Sequence, residues 1–130
     1  MRLRVITPRR PIIDAEVTDF VAPGTEGEFG VLPQHAALLA SLKPGVLVYV
    51  EDGARKRLVV SGGYVEVRQD VITVLADEAE LPEDVDAEQA RQDAARVQEE
   101  LARGSDSAEV TERLLRDLAL AEARTSVGAH

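Results

Sequence analysis

The hydrophobic period of this chain changes at Leu81–Pro82. Before that point, short runs alternate aliphatic and polar side chains, which is the pattern of a half-buried β-strand. After it, Ala, Gln, Glu and Arg dominate, and these residues favour helices. A chain of 130 residues is long enough for one compact domain with an appendage. We therefore predict an α+β protein, with an N-terminal antiparallel β-sandwich or flattened barrel over residues 1–83 and an αα-hairpin over residues 84–130.

The N-terminal part contains short candidate strands separated by glycine, proline and other turn residues. The pattern predicts one strand over Ala15–Pro23, with Val17 and Val21 on the same side. Turns are predicted at Asp52–Gly53 and Arg68–Asp70, the first because Asp-Gly accepts the positive φ that this hairpin turn requires. The other candidate strands are Arg2–Thr7, His35–Leu42, Gly45–Val50, Arg55–Val60, Gly62–Val67 and Val71–Ala76.

The C-terminal part predicts two helices joined by a short loop. Asp84 or Asp86 is expected to cap the start of the first helix, because a carboxylate accepts the free amides there. Gly104 is expected to end it. The second helix is predicted from about Ser107 to Arg124, followed by a polar tail.

Both helices are rich in alanine, and each carries an apolar stripe. The stripes comprise Ala90, Ala94, Val97 and Leu101 in the first helix and Val110, Leu114, Leu118 and Ala121 in the second. Asp106 and Glu109 resemble a capping box before the second stripe. Alanine in place of leucine removes on the order of 1–2 kcal/mol of burial per position. Weak docking is therefore expected, and two interpretations remain: a surface hairpin that frays, or one built to detach.

Composition argues against several classes of function. The chain has no cysteine, and its histidines, His35 and His130, are too few for a histidine zinc cluster. A net charge of −9 and 3% aromatic residues argue against nucleic-acid binding. No run approaches the ~20 apolar residues of a membrane-spanning helix, and no signal-peptide pattern is visible. We expect a cytosolic protein with no metal, whose membrane association depends on a partner.

Residues 26–39, EGEFGVLPQHAALL, are the most distinctive stretch. Its glycines and the one just before it are Gly24, Gly27 and Gly30. They lack the lysine, the hydroxyl residue and the following helix of a phosphate-binding loop. An enzyme using His35 and Glu28 would need a nucleophile or acid converging on the imidazole. The sequence places only Glu26, Glu28 and Gln34 near His35, so a role in packing or capping the loop is favoured and no active site is predicted.

Three segments together resemble the epsilon subunit of the bacterial F-type ATP synthase. They are EGEFGVLPQHAALL, SGGYVEVRQDVITVLADEAE and the alanine-rich helix pair, in that order. The resemblance covers nearly the whole chain and implies a β-sandwich followed by a helical hairpin. It also implies a central-stalk subunit without catalysis of its own, peripheral on the cytoplasmic face of the bacterial inner membrane. Its sandwich would bind the gamma subunit and the ring of c subunits, and so couple rotation to proton flow.

The resemblance assigns the EGEFG turn to the c ring. Glu28 is implied to face the polar loops of the ring, with Gly27 and Gly30 allowing a sharp bend and a close approach. Pro33 is implied to limit sheet pairing and fix the turn. His35 is implied to begin the next strand, in a structural role.

The hairpin resembles the family's regulatory element, which folds against the sandwich or extends along gamma towards the catalytic alpha and beta subunits. The extended form restrains ATP hydrolysis. Arg113, Arg116 and Arg124 are implied to meet acidic segments there. The alternative is a free-standing β-sandwich binding module with a dimerising hairpin, unrelated to the synthase, which co-purification with gamma would distinguish.

Some family members also bind ATP on the folded hairpin, through a motif [IL]-D-x-x-R-A and a later arginine. The matching residues here are Glu80, Asp86, Ala90 and Arg96. Gln89 stands where the motif has arginine, so the charge–phosphate attraction is lost. We expect weak or no ATP binding and no other cofactor.

Overall fold

The computed structural model describes residues 1–128 as ten strands, a short 3₁₀ turn and two helices. The strands are β1 (Arg2–Ile6), β2 (Pro11–Glu16), β3 (Asp19–Gly24), β4 (Gly27–Val31), β5 (Leu38–Leu42), β6 (Gly45–Glu51), β7 (Ala54–Val60), β8 (Gly63–Arg68), β9 (Val71–Ala76) and β10 (Ala79–Glu80). The 3₁₀ turn covers Pro82–Asp84, and the helices are α1 (Ala87–Arg103) and α2 (Ala108–Gly128).

The strands form one continuous sheet in the order β10-β7-β6-β3-β5-β8-β9-β1-β2, with β4 attached to β3. Neighbours are antiparallel except β1 and β9, which are parallel. The two halves of the sheet face each other across a shared core. Leu47 and Leu58 from one half are buried in the same cluster as Val65 and Ile72 from the other. The predicted flattened barrel followed by a helical hairpin is therefore confirmed.

The single strand predicted over residues 15–23 is wrong, because the chain forms two strands there. β2 ends at Glu16, and Val17–Thr18 connects it to β3. The interruption changes which alternate residues face the core: Phe20 and Ala22 are fully buried, whereas Val21 is only half-buried. An unbroken strand would have kept Val17 and Val21 on one face, since side chains alternate with a period of two.

Both predicted turns are confirmed by the backbone, the second at Gln69–Asp70, because Arg68 still belongs to β8. Asp52 and Gly53 have φ values of 51° and 77°, and Gln69 and Asp70 have φ values of 52° and 62°. Positive φ at both central residues is the geometry that joins two twisted antiparallel strands most directly.

The predicted limits of α1 are also confirmed. The Asp86 carboxylate accepts a hydrogen bond from the Gln89 N–H at 3.0 Å, and Gly104 ends the helix with φ 77°. Glycine is suited to that position because it carries no Cβ to clash in the left-handed region.

Two predictions about α2 are wrong. The Ser107 hydroxyl, rather than Asp106, accepts the first free amide, from the Val110 N–H at 3.2 Å. The helix continues past Arg124 to Gly128, so these residues are not a polar tail, and Val127 is fully buried. The last two residues, with His130, lie outside the described residues.

The hairpin lies against β6 and β7. Val59 of β7 forms a small buried cluster with Ala123 and Val127 of α2. The buried residues of α1, Ala90 and Val97, belong instead to the interface between the two helices. The hairpin is thus docked on the sandwich through α2, over an area built largely from alanine and valine.

Candidate protein-docking site

The EGEFG stretch forms a tight hairpin between β3 and β4. Gly24 pairs with Gly27 across a two-residue turn, and Gly27 has φ 127°. A Cβ at Gly24 would lie 2.6 Å from the Gly27 carbonyl oxygen and 2.9 Å from the Phe29 ring. The sharp bend and the close approach therefore fall at Gly27 and Gly24, whereas Gly30 lies inside β4 with ordinary space around it.

Glu28 lies directly after this turn, in β4 opposite Pro23. Its side chain is exposed and makes no ion pair within residues 1–128. Because Glu28 has no ion-pair partner among residues 1–128, its carboxylate is available to a partner beside the turn.

The segment after β4 is fixed by a turn and by a residue that sequence reasoning missed. The His35 N–H donates to the Leu32 carbonyl at 3.1 Å, across Pro33 and Gln34. Gln34 has φ 67°, a conformation that disfavours side chains with a Cβ. Its N–H donates to the Asp70 carboxylate at 2.6 Å, which offsets that cost. Asp70 appeared in the sequence only as a turn residue, and nothing local indicated a contact 36 residues away.

His35 does not begin the next strand, so that prediction is wrong, because β5 starts at Leu38. The imidazole Nδ1 lies 2.7 Å from the Ala36 carbonyl oxygen. Within the described part of the chain, no acid or nucleophile is hydrogen-bonded to the ring. This geometry fits a histidine that shapes its own loop.

A groove separates the β3–β4 hairpin from the segment that follows it. It has a volume of about 560 Å³ and lies between residues 24–30 on one side and His35 with Leu38–Ser41 on the other. Its two sides are joined by the Thr25 and Ser41 hydroxyls at 2.7 Å. Glu28 and Leu39 both line the groove, so it combines a charged group with an apolar wall.

Leu39 also belongs to an exposed surface of the neighbouring strands, which we call the apolar face: Leu39 on β5, Tyr64 on β8 and Leu75 on β9. These side chains are 73%, 59% and 53% exposed, and Tyr64 pairs directly with Leu75. A cluster of large exposed apolar groups on one sheet face marks an interaction surface, whereas a single exposed leucine does not. The apolar face and the groove are continuous at Leu39.

The outer side of β1 and β2 provides a charged border to the same sheet. Arg2 Nε lies 2.7 Å from an Asp14 carboxylate oxygen, and Arg4 Nε lies 3.9 Å from the same oxygen. The hydrogen bond from Arg2 holds the pKa of Asp14 below its ordinary value. An apolar centre with a polar border is the usual composition of a protein–protein interface.

The three arginines predicted as regulatory contacts lie in two different environments. Arg113 and Arg116 are exposed and make no ion pair within the described residues. Arg124 Nε instead lies 2.5 Å from a Glu80 carboxylate oxygen, and both side chains are mostly buried. Glu80 was predicted as part of a nucleotide site, so the structure joins residues from two separate predictions.

The other predicted nucleotide-binding residues all have protein partners. Asp86 caps α1, and Arg96 lies 3.1 Å from an Asp93 carboxylate oxygen. The Gln89 side-chain amide donates to Asp93 at 3.0 Å. Ala90 is buried against the second helix.

Neither helix of residues 1–128 is long and apolar enough to cross a membrane. In the same residues, no three histidine or acidic side chains are grouped so as to hold a metal ion.

Comparison with known proteins identifies relatives of this chain in sequence and in structure. Residues 1–82 match the family described as "ATP synthase, Delta/Epsilon chain, beta-sandwich domain". The ATP synthase epsilon chain of Pelotomaculum thermopropionicum is 44% identical over 102 residues, which cover 78% of this chain and 76% of that relative. The epsilon chain of Carboxydothermus hydrogenoformans is 43% identical over 103 residues, covering 79% and 77%.

Solved structures show the same fold. A chain of the Euglena gracilis mitochondrial ATP synthase aligns with a TM-score of 0.81 at 24% identity, covering 95% of this chain and 78% of that chain. A chain of the Tetrahymena thermophila mitochondrial ATP synthase central stalk and c ring aligns with a TM-score of 0.68 at 15% identity, covering 99% and 96%. The matched sandwich and the two relatives in sequence exclude an unrelated binding module, and the chain belongs to the ATP synthase epsilon chain family.

Proposed function

We propose that this chain is a non-catalytic rotor subunit in the central stalk of a proton-translocating ATP synthase. It couples the membrane ring to the catalytic head and restrains ATP hydrolysis through its C-terminal helices. The observation that carries the proposal is the continuous surface formed by the apolar face and the groove. The helices cover β6 and β7 and leave this surface open.

The apolar face is the proposed contact for the gamma subunit. Its three large side chains are exposed in the free chain, and covering them removes apolar area from water. The Tyr64 hydroxyl can still form a hydrogen bond when the ring is covered, which is one reason why tyrosine is enriched in interfaces. The sandwich is thereby the anchor of the subunit, with residues 1–83 as the docking unit and 84–130 as the regulatory unit.

The β3–β4 hairpin is the proposed contact for the c ring. Glu28 lies beside the turn and has no ion-pair partner among residues 1–128, and Gly27 and Gly24 keep the turn narrow enough for close approach. Association with the membrane then occurs only through the complex, with the chain peripheral on the cytoplasmic face of the bacterial inner membrane.

The helical hairpin is the proposed regulatory element. Its small alanine and valine contact with the sandwich supports a modest free-energy difference between docked and detached forms. Arg113, Arg116 and Arg124 would contact acidic segments of the alpha and beta subunits in the detached form. ATP binding by the hairpin is expected to be weak or absent, because Gln89 replaces the motif arginine and Arg96 already pairs with Asp93.

Adding the chain back to a catalytic core stripped of it tests this function. We expect both the full chain and a version ending at Glu83 to bind gamma, but only the full chain to slow ATP hydrolysis, by roughly fivefold or more. Binding and hydrolysis are measured in parallel, with circular dichroism confirming that the shortened chain is folded. Equal hydrolysis with both versions would remove the regulatory role, and failure of both to bind would contradict the rotor assignment.

The c-ring contact is tested by Glu28→Gln in the assembled enzyme. We expect proton pumping per ATP hydrolysed to fall, because a surface charge pair contributes up to about 1 kcal/mol, or roughly fivefold in binding. Gamma binding should be unchanged. Asp52→Asn, in the turn between β6 and β7, is the matched control, since it removes a carboxylate at a position that accepts asparagine. Equal coupling in both variants would exclude a role for Glu28.

A further inference from the structure

The Arg124–Glu80 contact joins the hairpin to the sandwich. Arg124 Nε of α2 lies 2.5 Å from a carboxylate oxygen of Glu80 in β10. The Arg124 side chain is 27% exposed and the Glu80 side chain is 29% exposed. Among the described residues, it is the one ion pair between α1 or α2 and the strands. Because both groups are mostly buried, water screens the pair less than it would on an open surface.

The pair lies within the part of α2 that attaches to the sandwich. Ala123 and Val127, on either side of Arg124, form the buried cluster with Val59. At the end of the helix, a Cβ on Gly128 would lie 2.7 Å from the Ala87 Cβ, so the last turn is packed tightly against the start of α1. The attachment of the hairpin is therefore concentrated around Arg124.

Of the three arginines on α2, Arg124 is the one that lies largely out of solvent in the docked hairpin. Arg113 precedes it by three helical turns and lies on nearly the same side of α2, since an α-helix has 3.6 residues per turn. Arg113 is nevertheless exposed and unpaired within the described residues. In the docked hairpin, Arg113 is therefore available to a partner, whereas the charge of Arg124 is neutralised by Glu80.

We propose that Glu80 competes within the chain for Arg124. In the docked hairpin it occupies the guanidinium, and the same guanidinium contacts an acidic surface of the catalytic head only after the pair has broken. Breaking the pair thus loosens the hairpin and exposes the cation in one event. This inference rests on the proposed function for its second half, the inhibitory contact, whereas the first half concerns the isolated chain alone.

The first half is tested on the isolated full chain. The chain has no cysteine, so spin labels at Lys43→Cys and Ala102→Cys report the distance between the sandwich and the hairpin. We expect Glu80→Gln and Arg124→Gln each to raise the detached population, by up to roughly fivefold. Glu78→Gln, an exposed acid near the same strand, should leave it unchanged. The double variant Glu80→Arg, Arg124→Glu should restore docking. An unchanged distance distribution in both single variants would overturn the proposal.

The second half is tested by ATP hydrolysis in the reconstituted complex. Competition predicts opposite effects: Glu80→Gln strengthens inhibition because Arg124 is released, and Arg124→Gln weakens it because the cation is lost. If both variants strengthen inhibition equally, Arg124 serves docking only and the competition is excluded. If the wild-type chain does not inhibit at all, the regulatory part of the proposed function fails, while the spin-label distances still decide whether the pair holds the hairpin.

Discussion

We expect a chain carrying Tyr64→Asp to bind the gamma subunit roughly a hundredfold more weakly than the wild type, as when a central interface residue is replaced. Tyr64 lies in the middle of the apolar face, 59% exposed and directly opposite Leu75. An aspartate there removes the ring from the contact and places an unpaired carboxylate where water is excluded. The measurement is the Kd for purified gamma by titration calorimetry.

Because the Tyr64 side chain points away from the core, the variant should retain the thermal stability of the wild type. Arg55→Asp, at an exposed position near the start of β7, introduces the same carboxylate away from the apolar face and should bind gamma normally. Wild-type affinity in Tyr64→Asp would place the gamma contact elsewhere on the sandwich. A lower melting temperature would instead indicate that folding, rather than docking, had been perturbed.

Gly63→Ala is expected to lower the free energy of unfolding by about 3 kcal/mol or more, from combined backbone strain and steric overlap. Gly63 has φ 133°, and an added Cβ would lie 2.0 Å from the Leu75 carbonyl oxygen and 2.9 Å from the Ala76 Cα. These are backbone atoms of the paired strand, so no side chain can rotate to make room. The measurement is urea unfolding followed by circular dichroism.

Gly53→Ala is the matched control for that substitution. Gly53 also has positive φ, at 77°, but an added Cβ there would meet no atom of residues 1–128 within 4 Å. We expect a loss of about 1 kcal/mol, the cost of the left-handed conformation alone. The difference between the two losses in the free energy of unfolding measures the cost of the clash with β9. Equal losses would show that the clash costs nothing.

Features set by local chemistry were predicted correctly from the sequence. The Asp52–Gly53 turn, the Asp86 cap and the Gly104 stop each depend on a residue type whose conformational preference acts over a few neighbouring residues. The alternation of β8, which buries Val65 and exposes Tyr64, is also predictable from the sequence, because one face of the strand contacts the core and the other contacts water. Residues 26–39 are distinctive in the sequence for a similar reason, because glycine and proline restrict or free the backbone locally.

Features that depend on contacts distant in sequence were decided only by the tertiary structure. The strand breaks at Val17–Thr18 because β2 pairs with β1, whereas β3 pairs with β6. As a result, the even-numbered residues Phe20 and Ala22 face the core in β3, whereas the odd-numbered Ala15 does so in β2. Gln34 holds its positive φ because Asp70 accepts its amide. The last turn of α2 is helical, although it reads as a polar tail, and Val127 is buried there with Val59. A sequence determines conformations whose energy is local, whereas burial and ion pairing depend on which distant groups the fold brings together.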